Sequence, residues 1–157
     1  MSPIQNPNIM VATRDVFYPV QTAVFGTETV RRTWERQAVY LDAAGETAYM
    51  SAFIPWDFNE IVMSRVLTVP IHGSGFPTFD YTINTSYGAP GTSPSTHTGT
   101  VTADGRGLSD TRIDNIRAED AMSSLAALDL IGVSFVLDAI TGDMNGIDIL
   151  GFHLSYT

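Results

Sequence analysis

The clearest hydrophobic pattern in this chain spans residues 78–87, where Phe79, Tyr81, Ile83, Thr85 and Tyr87 alternate with Thr78, Asp80, Thr82, Asn84 and Ser86. A period of two predicts a strand with one face in a core and the other in water, the arrangement antiparallel sandwiches use. Residues 130–137 and 146–156 form two further apolar runs, separated by a turn segment that ends in Asn145-Gly146. Asn-Gly tolerates positive φ at both positions, so the two runs read as one long terminal hairpin. Shorter strands are expected at 16–20 and 36–41, and another at 48–54, which stops at Pro55 because proline offers no N–H to a ladder.

A capping-box spacing between Asp57 and Glu60 predicts a single helical turn, after which 61–69 resumes as a strand. That strand places Ile61, Met63, Leu67 and Val69 on one face, with Arg65 as the exception. Residues 108–116 give another candidate strand, and 118–128 is the one helical-looking stretch. There Ala121, Met122, Leu125 and Leu128 share a face, and Glu119 and Asp120 suit the positive end of a helix dipole. The pattern predicts an all-β antiparallel sandwich with one short helix. Residues 1–12, with two prolines and several amides, read as an extended N-terminal arm on a single domain at 13–157.

Composition narrows the classes of function. With 44% hydrophobic and 16% charged residues, a chain of 157 residues buries a sizeable core without crosslinks. The absence of cysteine removes disulfides, thiolate metal sites and cysteine nucleophiles together. All eight basic side chains are arginines, set against seventeen carboxylates for a net charge of −9, which disfavours a nucleic-acid partner. The first residues lack the basic and apolar regions of a secretion signal, and no apolar run approaches a bilayer span, so no membrane partner is expected.

Candidate chemistry is sparse. Asp138, Thr141, Asp143, Asn145 and Asp148 gather oxygen donors around the terminal turn in a plausible calcium cage, although the spacing is not that of an EF-hand and polar turn residues explain it equally. Arg31, Arg32, Trp34 and Arg36 form one basic spot with an aromatic beside it, suited to an acidic protein partner or an anionic glycan, or equally to protecting an edge strand. His97 lies in a Gly, Pro, Ser and Thr-rich loop at 88–100 that should protrude or lie against a partner, and with the arginine cluster makes the candidate partner-binding set.

His72, His97 and His153 lack metal-ligand spacing, and His153 is expected partly buried on the face of Ile147, Ile149 and Gly151. The Ser in 72–75 has no nucleophile-elbow context, and Asp57 with Glu60 is explained by capping rather than as a glycosidase pair. No acid, base and stabiliser can be named together, so a non-enzymatic role is expected, with no required cofactor. Trp34, Tyr49, Trp56, Tyr81 and Tyr87 are the aromatics from which a sugar-stacking platform would be drawn, core filling being their other use.

At residues 13–19, 48–58, 66–70, 131–135 and 149–156 the chain resembles jelly-roll-like virion structural proteins of tailed bacteriophages and environmental viral sequences. The resemblance runs from about Thr13 to Tyr156 and implies a jelly roll that acts as a head decoration or cement protein. It further implies a homotrimer on the capsid exterior with the major capsid protein as partner, and no catalytic residues. A carbohydrate-binding module displayed on a virion or tail is the alternative, with surface glycans as partner.

Overall fold

The computed structural model describes residues 12–21, 29–33, 36–72, 78–107, 113–142 and 144–157. These form β1 (Arg14–Pro19), β2 (Thr29–Thr33), β3 (Arg36–Leu41), β4 (Thr47–Phe53), β5 (Ile61–His72), β6 (Thr78–Gly88), β7 (His97–Gly107), β8 (Asp114–Arg117), β9 (Leu130–Thr141) and β10 (Met144–Tyr156). Glu119–Met122 makes a single 3-10 turn between β8 and β9. The predicted arm falls almost wholly outside the described residues.

Two antiparallel sheets pack face to face. One has the order β2-β3-β10-β5-β8, with β1 also paired to β10, and the other has the order β4-β9-β6-β7. From β3 onward consecutive strands cross from one sheet to the other, apart from β6 and β7, which pair as neighbours. This is the double-sheet jelly roll. β1 and β3 share one edge of β10, β3 alongside Ile147–Ile149 and β1 alongside Gly151–Tyr156.

The alternation along β6 places its side chains as expected: Phe79, Tyr81, Ile83, Thr85 and Tyr87 are buried and their neighbours half-buried. They meet Ile131, Val133, Phe135 and Leu137 of β9 in one core with Ile147, Ile149, Phe152 and Leu154 of β10 from the facing sheet. Burial of these rings and branched side chains is the main stabilising term.

Four expectations are corrected. The last two apolar runs do not form a hairpin, because β9 and β10 belong to opposite sheets. Each presents a core face, and crossing between layers lets those faces oppose one another, which pairing side by side would not. Asn145-Gly146 accordingly lies inside β10 at a register shift, where Gly146 adopts φ +154 and a β-carbon would meet the Tyr40 ring and the Leu41 carbonyl.

The helical stretch at 118–128 contracts to the 3-10 turn: Ala118 provides no side-chain cap, the Asp129 carboxylate accepts from the Ala126 N–H, and Leu128 turns the chain with φ +67. Asp57 caps no helix; its carboxylate receives Arg14 on one oxygen and the Tyr156 hydroxyl on the other. Finally, the loop expected at 88–100 is shorter, since β6 runs through Gly88 and β7 begins at His97.

The 3-10 turn plugs one end of the sandwich. Met122 is fully buried, Thr85 donates its hydroxyl to the Ala121 carbonyl, and the Tyr87 hydroxyl accepts from the Ser124 N–H. Gly99 on β7 lies directly under the turn, where any side chain would overlap the Ala121 backbone.

Candidate functional site

β5 is built the opposite way from β6. Its core-facing side carries Ser64 and Thr68 beside Val66, all fully buried, whereas Leu67, Val69 and Ile71 belong to a second apolar cluster on the outer side with Ala38 and Leu150. The sequence placed Met63, Leu67 and Val69 on one face; the fold shows that this face points away from the core, because Val66 pairs with core-facing Phe152. Ile61 falls on the other side, packed against the core.

Register extends that outer face into a row, Pro19 beside Gly151 beside Leu67. Phe17, Pro19, Gln37, Leu67 and Leu150 line a groove of about 550 Å³ there, with Phe17 48% exposed. Gly151 is part of the construction: at φ +156 a β-carbon would run into the Phe17 ring and the Tyr18 carbonyl.

The same face is charged beyond the groove. His153 Nε2 lies 3.0 Å from Asp15 Oδ1. Arg65 hydrogen-bonds one oxygen of Glu119, and Arg117 Nε lies 3.3 Å from the other. Burial works to raise the Glu119 carboxyl, but the hydrogen bond from Arg65, backbone donors and the Arg65 charge outweigh it and hold the group below the ordinary glutamate range. His153 is part-buried as expected but on the outer side, because the register shift between Ile149 and Gly151 reverses the face of the residues that follow.

The outer face of the four-stranded sheet is chemically different. Cross-strand register gives the rows Tyr49–Ser134–Asn84–Thr100, Ser51–Gly132–Ser86–Thr98 and Phe53–Leu130–Gly88. A shallow hollow of about 230 Å³ opens over Gly132 between Tyr49 and the Asn84 and Ser86 side chains. A second hollow, of about 300 Å³, lies between the Phe53 and Leu130 pair and the loop holding Pro90 and Pro94.

The residues singled out from sequence fall on several different strands. Arg31, Arg32 and Arg36 sit in the β2 and β3 ladder at the sheet edge, Arg31 opposite Ala38 and Arg32 opposite Gln37, while Trp34 lies outside the described residues. His97 opens β7 and stacks on buried Tyr87 with ring centroids 5.3 Å apart. Asp138 accepts the Thr82 hydroxyl at 2.7 Å on one sheet, whereas Asp148 is fully buried on the other, opposite Tyr40 and Val69. Asn145 is exposed, with its carbonyl accepting the Tyr40 hydroxyl, and Asp143 lies outside the described residues.

Among the described residues no group of three or more histidine or acidic side chains is placed to hold a metal ion. Nor is any helix among them long and apolar enough to cross a membrane. Of the aromatics proposed for sugar stacking, Tyr81 and Tyr87 are core residues, while Tyr49 is 42% and Trp56 79% exposed. The residues that build the two outer faces, Phe17, Leu67 and Leu150 on one and Phe53, Leu130, Asn84, Ser86 and Ser134 on the other, were not singled out from sequence as a site. For Leu67 and Leu150 the signal was present as apolar positions on both parities of one strand, readable only once the core-facing parity is known, whereas Asn84 and Ser86 belonged to the wet face already read along residues 78–87. No protein-family model matches the chain, and no curated protein matches it.

Proposed function

We propose that this chain is a non-enzymatic virion structural protein, a capsid decoration or cement protein that binds the outer head surface as a homotrimer and stabilises subunit junctions. One observation carries the reading: on the outer side of the six-stranded sheet, part-buried Leu67 and Ile71 flank a groove where Phe17 is 48% exposed, while Ala38, Val69 and Leu150 of the same cluster are themselves buried. An exposed aromatic ring beside part-buried aliphatic side chains on an outer sheet face offers a place for another surface to pack. The jelly roll is a recurrent capsid architecture, which adds support at the level of fold. Closed symmetry repeats one modest contact around an axis, so a small apolar face suffices to build a trimer whose copies then grip a shell together.

The test is sedimentation of the full chain beside Phe17→Arg, a change at a half-exposed position that leaves the core untouched. The wild type is expected to sediment as a trimer and the variant to shift towards monomer. Addition of each to undecorated phage heads should decorate them with the wild type and much less with the variant. A wild type that stays monomeric at high concentration and leaves heads bare would overturn the reading.

A further inference from the structure

We propose that the outer face of the four-stranded sheet is a binding site for a neutral polysaccharide, its track running along β9 from Ser134 over Gly132 to Leu130. The two hollows described above lie end to end on this line, since Ser134, Gly132 and Leu130 are successive outward positions of one strand. At about 3.3 Å per residue the track is roughly 13 Å long, enough for a short stretch of linear glycan rather than a single ring.

Its floor is open without structural need. A β-carbon at Gly132 would meet only the Ser86 carbonyl, at 3.8 Å, so packing does not require glycine there, and the missing side chain is what leaves the hollow. Tyr49 and Phe53 stand on the same outward side of β4 along one wall, both substantially exposed, and offer ring faces to sugar C–H surfaces.

Hydroxyl and amide groups line the rest, and their neighbours hold them in place. Thr100 donates to Asn84 Oδ1 at 2.9 Å, which leaves the Asn84 amide nitrogen as the donor for a ligand. Gln21 Nε2 donates to Ser51 Oγ at 2.6 Å, which orients that hydroxyl as a donor. The loop wall is pre-organised: Ser86 donates to the Pro94 carbonyl at 2.6 Å, Thr92 to the Ala89 carbonyl at 2.7 Å, and Thr96 to the Ser93 carbonyl at 2.7 Å. A loop already fixed by its own bonds and two prolines loses little freedom on binding.

Charge selects the ligand class. Among the described residues, none lining either hollow carries a formal charge, although the chain as a whole carries −9. A charge-free track on an acidic protein offers nothing to sulfated, sialylated or nucleic-acid polymers and accepts an uncharged chain of hydroxyls.

The experiment is retention of the full chain on immobilised cellulose, chitin, amylose and mannan, with heparin and alginate as charged controls, followed by titration of a soluble oligosaccharide of whichever polymer retains it. Tyr49→Ala and Gly132→Val are compared with the wild type, Trp56→Ala serves as an exposed aromatic off the track, and thermal midpoints confirm that each variant folds. Retention on at least one neutral polymer is expected, weakened roughly tenfold by Tyr49→Ala and by Gly132→Val and unchanged by Trp56→Ala. No retention on any neutral polymer, retention on the charged controls alone, or equal affinity in Gly132→Val would overturn the proposal. So would a Gly132→Val variant that changes only the sedimentation of the protein, since the face would then be a contact between copies.

Discussion

Two glycines of one sheet, Gly99 on β7 and Gly132 on β9, should respond to the same substitution with opposite signs. At Gly99 a β-carbon would sit 2.6 Å from the Ala121 carbonyl carbon and 2.8 Å from its Cα, backbone atoms that cannot swing aside. Gly99→Ala must therefore lift the 3-10 turn off β7, which strains the packing of buried Met122 and stretches the hydrogen bond from Thr85 to the Ala121 carbonyl. Overpacking of this kind costs about 1–3 kcal/mol, and a buried carbonyl left without its donor about as much again, for a total of roughly 2–6 kcal/mol. At Gly132 the added carbon meets only ordinary contact, and Gly132→Ala is expected to be neutral or to stabilise by about 0.4–1 kcal/mol through a less flexible unfolded chain. Urea unfolding followed by tryptophan fluorescence reads both, and for a chain of this size the Gly99 change should lower Tm by roughly 5–20 °C. A Gly99→Ala protein within about 0.5 kcal/mol of wild type would refute the placement of the turn against β7.

Three further outcomes follow from local chemistry. Leu128 holds φ +67 with its side chain 44% exposed, so Leu128→Gly should raise stability by up to roughly 1 kcal/mol in the same unfolding assay, and a clear loss would show that its side chain matters more than its backbone. Glu119 titrates below its ordinary value in the folded state, so its contribution is present above the unfolded glutamate pKa of about 4.3 and is lost as pH falls through the lower folded value. Urea midpoints between about pH 6 and pH 2.5 should therefore fall less steeply at the acid end in Glu119→Gln than in wild type, and parallel curves would exclude the Arg65 pairing as a source of that dependence. Removal of the Asp57 carboxylate in Asp57→Ala unties Arg14 and the Tyr156 hydroxyl at once and should cost about 1–2 kcal/mol, read as a shift in urea midpoint with unchanged slope.

The layers were legible from the sequence wherever one strand has one wet face. β6 is such a strand, and its parity alone identified five buried positions. β5 and β10 are not, because each is covered on both sides over part of its length, and a strand apolar on both parities does not announce which parity faces the core. The register shifts in β10 compound this by reversing face between Ile149 and Gly151, so that periodicity counted from Ile147 places His153 on the wrong side. Asn145-Gly146 misled for a related reason: the dipeptide marks a need for unusual backbone geometry, which here serves a bulge within a strand rather than a reversal. Pairing of distant strands is long-range information, and jelly-roll order places chain neighbours β9 and β10 in different sheets, where local turn signals cannot reveal it.

The two outer faces lie on opposite sides of the sandwich, which bears on whether the two proposals compete. The groove at Phe17 and Leu67 belongs to the six-stranded sheet and the track over Gly132 to the four-stranded one, with the core between them. A trimer closed through the first face would therefore leave the second turned outward, and three copies of a weak glycan site would act together on one polymer. Avidity then depends on assembly even though no residue is shared. Phe17→Arg should leave the affinity of one protomer for a short oligosaccharide unchanged while lowering retention on the long polymer, and Tyr49→Ala should lower both without altering sedimentation. The double variant should show the two effects as additive in oligosaccharide titration, as expected for sites that share no partners. Strong coupling there would mean that the two sheets do not act as independent surfaces, and a polymer retention insensitive to Phe17→Arg would separate the glycan site from the trimer.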